Sequence, residues 1–501
     1  MQDTYTLSTL TAKPGSDLTR HGLLAGKLAL ILLASLLAMG CASTVGLPDA
    51  NRVQADSQVS APATWQATLP HGGSIDTMNQ WWQQWDDALL VELLAASQKE
   101  SASLAAARTR IAQARAALTG AQAATLPMVN ASVQGSRGVQ GPKAPPASNA
   151  SAGVEASWEI DVFGGKRATS SAAQTRLDSA ELGWHDARVA VAIEVAGTYY
   201  DWLSCQTSVA LAQSDATSRS ETARLAELTA KAGLNAPATA ALARASAADA
   251  ANSLRSAQAQ CEVKVKSLVA LTAVPEPYLR ERLIANISVA QKITAQKTLF
   301  TINSVPAQVL AQRPDIAAAQ RDVAAASADA RAADARRLPM LSLNGSIAGA
   351  TVRQGGQSTE GITWSLGPIA LSVPLFDGGR NAANAKAAVV AYDEAVVNLR
   401  AKARNAVREV EEALVKLDST AQRSADVQTA TNGYKVSLDA TQARYKAGLA
   451  SLVELEDARR TAVQAQQSQL TLDRERIAAW VSLYRAAGGG WTSQSMAPTQ
   501  P

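Results

Sequence analysis

Any chemistry in this 501-residue chain would have to come from three histidines, three cysteines and a few well-placed carboxylates. His21, His71 and His185 lie far apart, and none stands at metal-ligand spacing from a cysteine or another histidine. Metal binding or acid–base catalysis through histidine is thereby nearly excluded. Cys205 and Cys261 each lie 28 residues from Gly233, one on either side. In an antiparallel hairpin turning at Gly233 they would stand at one height, either bridged or as two buried thiols acting as small hydrophobes. Glu454 and Asp457 are three residues apart and so share a face of a helix. Glu456 between them reads as part of a solvated face. Gly164-Gly165 and Gly378-Gly379 fall at strand-to-helix joints, where tight turns explain them better than a phosphate cradle does. With no nucleophile paired to a base, the chain is not expected to be an enzyme, and no metal or soluble cofactor is expected.

The third cysteine has a different setting. Lys13, Arg20 and Lys27 precede an apolar run from Leu28 to Met39 that ends in Gly40-Cys41. A basic stretch, a short apolar stretch and small residues describe a signal peptide over 1–40. The run is too short to span a bilayer, which takes about 20 apolar residues. Leu37-Ala38-Met39-Gly40-Cys41 resembles the lipobox of bacterial lipoproteins, with Ala38 and Met39 less usual at their places. The resemblance implies that Cys41 carries a diacylglycerol and an N-acyl chain, and Ala42 after it favours the outer membrane. Residues 41–80, polar with scattered Pro and Gly, read as an extended lipidated tether.

Net charge is +4 with 18% charged residues, which gives no field for nucleic acid. Aromatics are 4% and much of the 47% hydrophobic fraction is alanine, the composition of long, closely packed helices. Trp81, Trp82 and Trp85 open the folded part, and a helical pattern runs from Asp86 to Thr125 until Pro127 stops it. Alternation follows: Val129, Ala131 and Val133, then Val154, Ala156, Trp158, Ile160 and Val162 after a Pro-rich loop. Such strands suit a water-filled membrane barrel or a half-buried soluble hairpin, and period alone does not separate the two. From Lys166 to Ala232 there is no proline, so a helix roughly 100 Å long is expected. Gly233-Leu234-Asn235-Ala236-Pro237 then turns the chain into a helix from Ala238 to about Thr272.

The whole arrangement then recurs. Leu338-Pro339-Met340 echoes Leu126-Pro127-Met128, Phe376 with Gly378-Gly379 echoes Phe163-Gly164-Gly165, and Gly448-Leu449 echoes Gly233-Leu234. The second strand pair slips frame at Gly367-Pro368, which predicts a bulge. A second proline-free helix runs from about Asn381 to Ala447, with Leu399, Ala403, Ala406, Val410, Ala413 and Leu417 in alternating steps of four and three. The chain therefore divides into a first repeat over 81–300, with strands 127–163 and a hairpin tip at 233–239, and a second over 301–490, with strands 339–376 and a tip at 448–455; a tail covers 491–501.

Val305-Pro306-Ala307, Gln312-Arg313-Pro314-Asp315-Ile316, Val373-Pro374-Leu375-Phe376-Asp377-Gly378-Gly379-Arg380, the stretch Arg444 to Ser451 and the Leu483 to Trp491 ending match, in order, those of a known group. Together they make the chain resemble the outer-membrane factor (TolC-like) family, in its lipidated, NodT-like multidrug efflux branch. The resemblance covers nearly all of the mature chain. It implies a mainly α fold with a membrane β-barrel portion, in which a homotrimer builds one twelve-stranded barrel from four strands per protomer. The long hairpins would form a periplasmic tunnel. It implies a passive exit duct, held in outer-membrane lipid, for drugs or other small molecules, working with a periplasmic adaptor and an inner-membrane RND-type transporter. It places an aperture at Glu454 and Asp457, and a latch and tips at Arg444, Tyr445, Gly448, Leu449, Gly233, Leu234 and Thr239. Thr239 stands where the second repeat has an acid, so gating is expected mainly in the second hairpin. The alternatives are the exit duct of a type I protein secretion system and, in another class, a structural periplasmic coiled-coil lipoprotein.

Overall fold

The computed structural model describes residues 46–59, 66, 87–139, 145–287, 306–489 and 491. The signal peptide, Cys41, the Trp81-Trp82-Trp85 cluster, His21, His71 and the tail beyond Trp491 lie outside these residues.

The elements in chain order are α1 (Ala50–Asp56), α2 (Ala88–Glu100), α3 (Ala102–Ala123), β1 (Met128–Gly138), β2 (Ala147–Ile160), α4 (Gly165–Lys231) and α5 (Pro237–Thr272). They continue with α6 (Glu276–Ala285), α7 (Pro306–Ala311), α8 (Pro314–Ala335), β3 (Met340–Gln354), β4 (Gln357–Ser372), α9 (Arg380–Lys446) and α10 (Leu452–Ala486). The doubling is carried into helix length: α3 and α8 have 22 residues each, and α4 and α9 have 67 each. At 1.5 Å per residue each long helix runs about 100 Å. Both start the same way. A left-handed glycine, Gly164 or Gly379, breaks from the strand, and an aspartate accepts hydrogen bonds from the first free backbone N–H groups. Asp161 accepts from Lys166 and Arg167, at 3.1 and 2.8 Å; Asp377 accepts from Gly379 and Asn381, at 2.9 and 3.0 Å.

Two expectations need correction. The helix expected over Asp86–Thr125 is broken at Ser101, which takes an extended conformation (φ −65°, ψ 123°) and caps α3 with its hydroxyl. Serine competes for backbone hydrogen bonds and so favours a cap over a helix interior. The supposed extended tether contains α1, whose Val53 packs on the α8–α9 core. Arg52 pairs with Asp393 at 2.7 Å, and Asp56 accepts from Tyr392 Oη and Arg400, both at 2.8 Å.

The four strands form one antiparallel sheet in the order β1-β2-β3-β4, leaving β1 and β4 as open edges. The register steps at Leu343/Gly345, where Gly367 and the cis Pro368 add one residue to β4. The bulge restores the frame, so Ile362, Trp364, Leu366, Ile369 and Leu371 all lie on one face and are exposed. Below the sheet, the main core gathers around Trp480, Tyr199, Leu90 and Leu268, where α2, α4, α5, α9 and α10 meet. The six heptad positions Leu399 to Leu417 of α9 are all buried. Ala at three of them lets neighbouring helices approach closely.

Candidate functional site

The two hairpin ends lie farthest from the sheet. At the first, Gly233 is left-handed (φ 71°) and the Leu234 N–H donates to Thr229 O at 2.9 Å, a Schellman closure. The second repeats it with Gly448 (φ 76°) and Leu449 N–H to Arg444 O at 2.8 Å. Leu234 and Leu449 project from these turns, 76% and 70% exposed.

The return helices differ. At α10, Ser451 is the N-cap in a full capping box: its hydroxyl accepts from Glu454 N–H at 3.2 Å and its N–H donates to Glu454 Oε2 at 2.6 Å. That backbone donor holds the Glu454 carboxyl below its usual range. At α5 the cap is Ala236, which offers no side-chain acceptor, and Thr239 occupies the position of Glu454. Arg444 donates to Leu449 O at 3.0 Å and lies 4.0 Å from Glu454. The Tyr445 ring packs against a cluster of Ala223, Ala226, Ala243, Leu452 and Leu455. Asp457 pairs with Arg460 at 2.9 Å, both side chains largely exposed. Glu454 and Asp457 thus stay at the surface near the second tip, with Glu454 also tied into the helix start.

Glu456 overturns the reading of a solvated face. Its side chain is 15% exposed and joins three helices. Oε2 accepts from Arg219 (2.8 Å) on α4 and Ser246 (2.5 Å) on α5, while Oε1 accepts from Arg459 at 2.9 Å. Arg219 is also held by both oxygens of Asp215, and Arg459 donates to Ser218 at 2.9 Å. Two arginines and two carboxylates balance in charge, which a buried cluster requires. A signal was there to be read: Leu452, Leu455, Arg459 and Ala462 step by three, four and three, so Arg459 falls on the buried seam and needs a counter-charge.

Higher on the first hairpin, Cys205 and Cys261 form a disulfide with Cα atoms 5.6 Å apart, cross-linking α4 and α5. At the other end of the molecule, the strand face opposite the apolar one carries Asn130, Ser132, Glu155, Ser157, Asn344, Ser346, Thr363 and Ser365. Small, neutral polar groups dominate it, as a water-filled lumen requires. His185 sits 5.0 Å from Trp184 between ring centroids, and no group of histidines, cysteines and acids able to hold a metal occurs among the described residues.

The family described as outer membrane efflux protein matches residues 93–274 and 305–489, one match for each repeat. Outer membrane protein OprJ of Pseudomonas aeruginosa is 29% identical over 482 residues, covering 93% of this chain and 96% of OprJ. Nodulation protein T of Rhizobium leguminosarum bv. viciae is 27% identical over 430 residues, covering 84% and 86%. A crystal structure of a membrane protein from Pseudomonas aeruginosa superposes with a TM-score of 0.73 at 26% identity, covering 86% of this chain and 98% of that one. The chain belongs to the outer membrane efflux protein family, in its NodT-like branch, and is an outer-membrane channel.

Proposed function

We propose that three copies of this chain assemble the exit duct of a tripartite efflux pump, which receives small molecules from a periplasmic adaptor and an inner-membrane RND-type transporter. The observation that carries this reading is the open-edged sheet set directly on the long hairpins. Four strands cannot close a barrel, and unpaired strand edges are not tolerated in lipid, so the edges of β1 and β4 must be met by other copies. Three copies give twelve strands, wide enough to leave a lumen. Exposed Phe163 and Phe376 at the strand-to-helix joints fit the aromatic girdle at the periplasmic interface.

The direction of the N-terminal segment supports lipidation at Cys41. Arg52 meets Asp393, Asp56 meets Arg400 and the Gln66 N–H meets Glu411, so this segment descends along α9 away from the sheet. Read backwards it climbs toward the membrane. Arg52 lies about 20 Å below the start of α9, and the eleven residues back to Cys41 can reach about 36 Å. An acyl chain on Cys41 can therefore enter the inner leaflet beside the barrel.

At the closed end, Glu454 and Asp457 would ring the aperture by threefold symmetry, and the Glu456 cluster would hold the two hairpins together. The test is conductance of the purified trimer in planar bilayers. Stepwise ion conductance supports the duct, and its absence sides with a structural lipoprotein. Deleting the gene should raise drug sensitivity while leaving protein secretion intact; loss of a secreted protein instead would reassign the duct to protein export.

A further inference from the structure

The outer end of the sheet carries a feature that conduction does not use. Residues paired across an antiparallel ladder point to the same face. Arg137 of β1 pairs with Ser148 of β2, Ser148 with Arg353 of β3, and Arg353 with Ser358 of β4. The two arginines therefore stand in one lateral row, two strands apart, or about 10 Å. Ser148 shares its face with Val154, Ala156, Trp158 and Ile160, and Arg353 shares its face with Ile347, Leu343 and Leu341. Both guanidinium groups thus lie on the lipid-facing side of the wall, not on the lumen side. Both residues are exposed, and neither side chain has a hydrogen bond or ion pair among the described residues.

The apolar rows below fix their depth. From the row of Val133, Ala152, Gly349 and Ile362 down to Ile160, Leu341 and Leu371 the outward face is uncharged. That stretch of β2 rises about 20 Å on a strand tilted about 40°, close to the apolar height of an outer-membrane barrel. The arginine row stands four residues higher, about 10 Å above the band. This is headgroup depth in the outer leaflet, where a charge costs little. Glu360, one row lower on β4, is the one acid on this outer rim of the described strands, and no ion pair links it to Arg353. Two cations and one anion leave each sheet with a net positive outward rim.

We infer that Arg137 and Arg353 bind the phosphate groups of a phosphorylated glycolipid in the outer leaflet, anchoring the barrel rim. A guanidinium fork meets phosphate oxygens bidentately, and its weak hydration lets it sit at a lipid interface. The inference rests on the trimeric barrel, which would carry six such arginines on its circumference.

The test uses the full-length trimer in detergent, titrated with bisphosphorylated lipid A, fully dephosphorylated lipid A or phosphatidylglycerol, with bound lipid counted by native mass spectrometry. The Arg137→Gln/Arg353→Gln variant should bind bisphosphorylated lipid A at least tenfold more weakly than wild type. Dephosphorylated lipid A should bind both equally. Equal binding of the bisphosphorylated lipid, or an equal loss with phosphatidylglycerol, overturns the inference. If the glutamine pair fails to trimerise, the Arg137→Lys/Arg353→Lys pair keeps the charge but not the fork. It should bind a few-fold more weakly, and unchanged binding overturns the inference. Bilayer conductance of either variant should match wild type, so a failed lipid result stays separate from a failed channel.

Discussion

Arg219 and Glu456 lie 237 positions apart in sequence, yet their side chains meet at 2.8 Å and tie the first hairpin to the second. Each is 15% exposed, and Arg459, held by the same carboxylate, is 4% exposed. Without Glu456, Arg219 keeps Asp215 but Arg459 keeps only the Ser218 hydroxyl, a buried charge without a counter-charge, at a cost of about 3–5 kcal/mol. Glu456→Ala is therefore expected to loosen the second hairpin near its tip. Hydrogen exchange of α10 between Leu452 and Ala465 should rise by an order of magnitude or more. Protection equal to wild type would show that the cluster does not hold the hairpins together.

The disulfide gives a second, independent constraint on the first hairpin. Cys205 and Cys261 are 56 residues apart, and closing a loop of that size stabilises by about 4 kcal/mol in the chain-entropy model, commonly less in practice. The Cys205→Ala/Cys261→Ala variant should melt several degrees lower than wild type without losing the trimer. Non-reducing peptide mapping should show the two cysteines linked; alkylation of both thiols without prior reduction would remove the basis of the prediction.

A third prediction concerns acid. Arg313, 7% exposed, grips Asp315 through Nε (3.0 Å) and Nη2 (2.8 Å), Glu409 through Nη1 (2.8 Å) and the Ala486 carbonyl (2.9 Å). Burial acts to raise the Asp315 carboxyl, but the Arg313 guanidinium outweighs it and holds the group below the usual 3.8. A depressed carboxylate contributes stability that is fully present above its unfolded value and is lost as pH falls through its folded value. The melting temperature should thus hold near pH 5 and drop below about pH 4. Arg313→Ala should lower the melting temperature at pH 7 and flatten that acid drop. An acid drop as steep in the variant as in wild type would assign it to other carboxylates.

The sequence made the backbone plan legible and the long-range pairings illegible, for a physical reason. Proline and glycine act locally, so Pro127, Gly164, Gly233, Gly367-Pro368, Gly379 and Gly448 marked the breaks within a residue or two of where they fall. The seam of α9 was readable because small and branched residues recur at a fixed step. Ser101 escaped because its capping role competes with the Ala-rich helical pattern on both sides. Helix α1 escaped because its reason to fold, Tyr392, Asp393 and Arg400, lies more than 330 residues away. Glu456 escaped the same way: flanked by Glu454 and Asp457 it looked solvated, and only the placement of Arg219 and Ser246 makes it buried.

The capping box separates two roles of Glu454. Glutamine at that place can still accept the Ser451 N–H, since a capping box works with Glu or Gln, whereas alanine cannot. Glu454→Gln should therefore leave the start of α10 protected from hydrogen exchange, while Glu454→Ala frays it by about 1 kcal/mol. Equal fraying in the two variants would mean that charge at the helix N-terminus, not the hydrogen bond, holds the cap.

That separation makes the gate testable without unfolding it. In the proposed trimer, the Glu454 and Asp457 carboxylates face one another across the threefold axis and gather cations at the aperture. Glu454→Gln/Asp457→Asn removes six charges from the trimer while keeping size and cap. Asp457 also loses its pair with Arg460, but that pair is largely exposed and contributes about 0–1 kcal/mol. Cations bridging these carboxylates hold the aperture shut, so their loss should weaken closure, and single-channel conductance of the isolated duct should rise, with reduced cation preference. Salt supplies the control: raising ionic strength from about 0.1 M to 1 M shortens the Debye length from about 10 Å to 3 Å. Wild type and variant should therefore converge in high salt. Unchanged conductance at low salt would refute the aperture assignment, and would leave the Glu456 cluster as the structural hold on the tip.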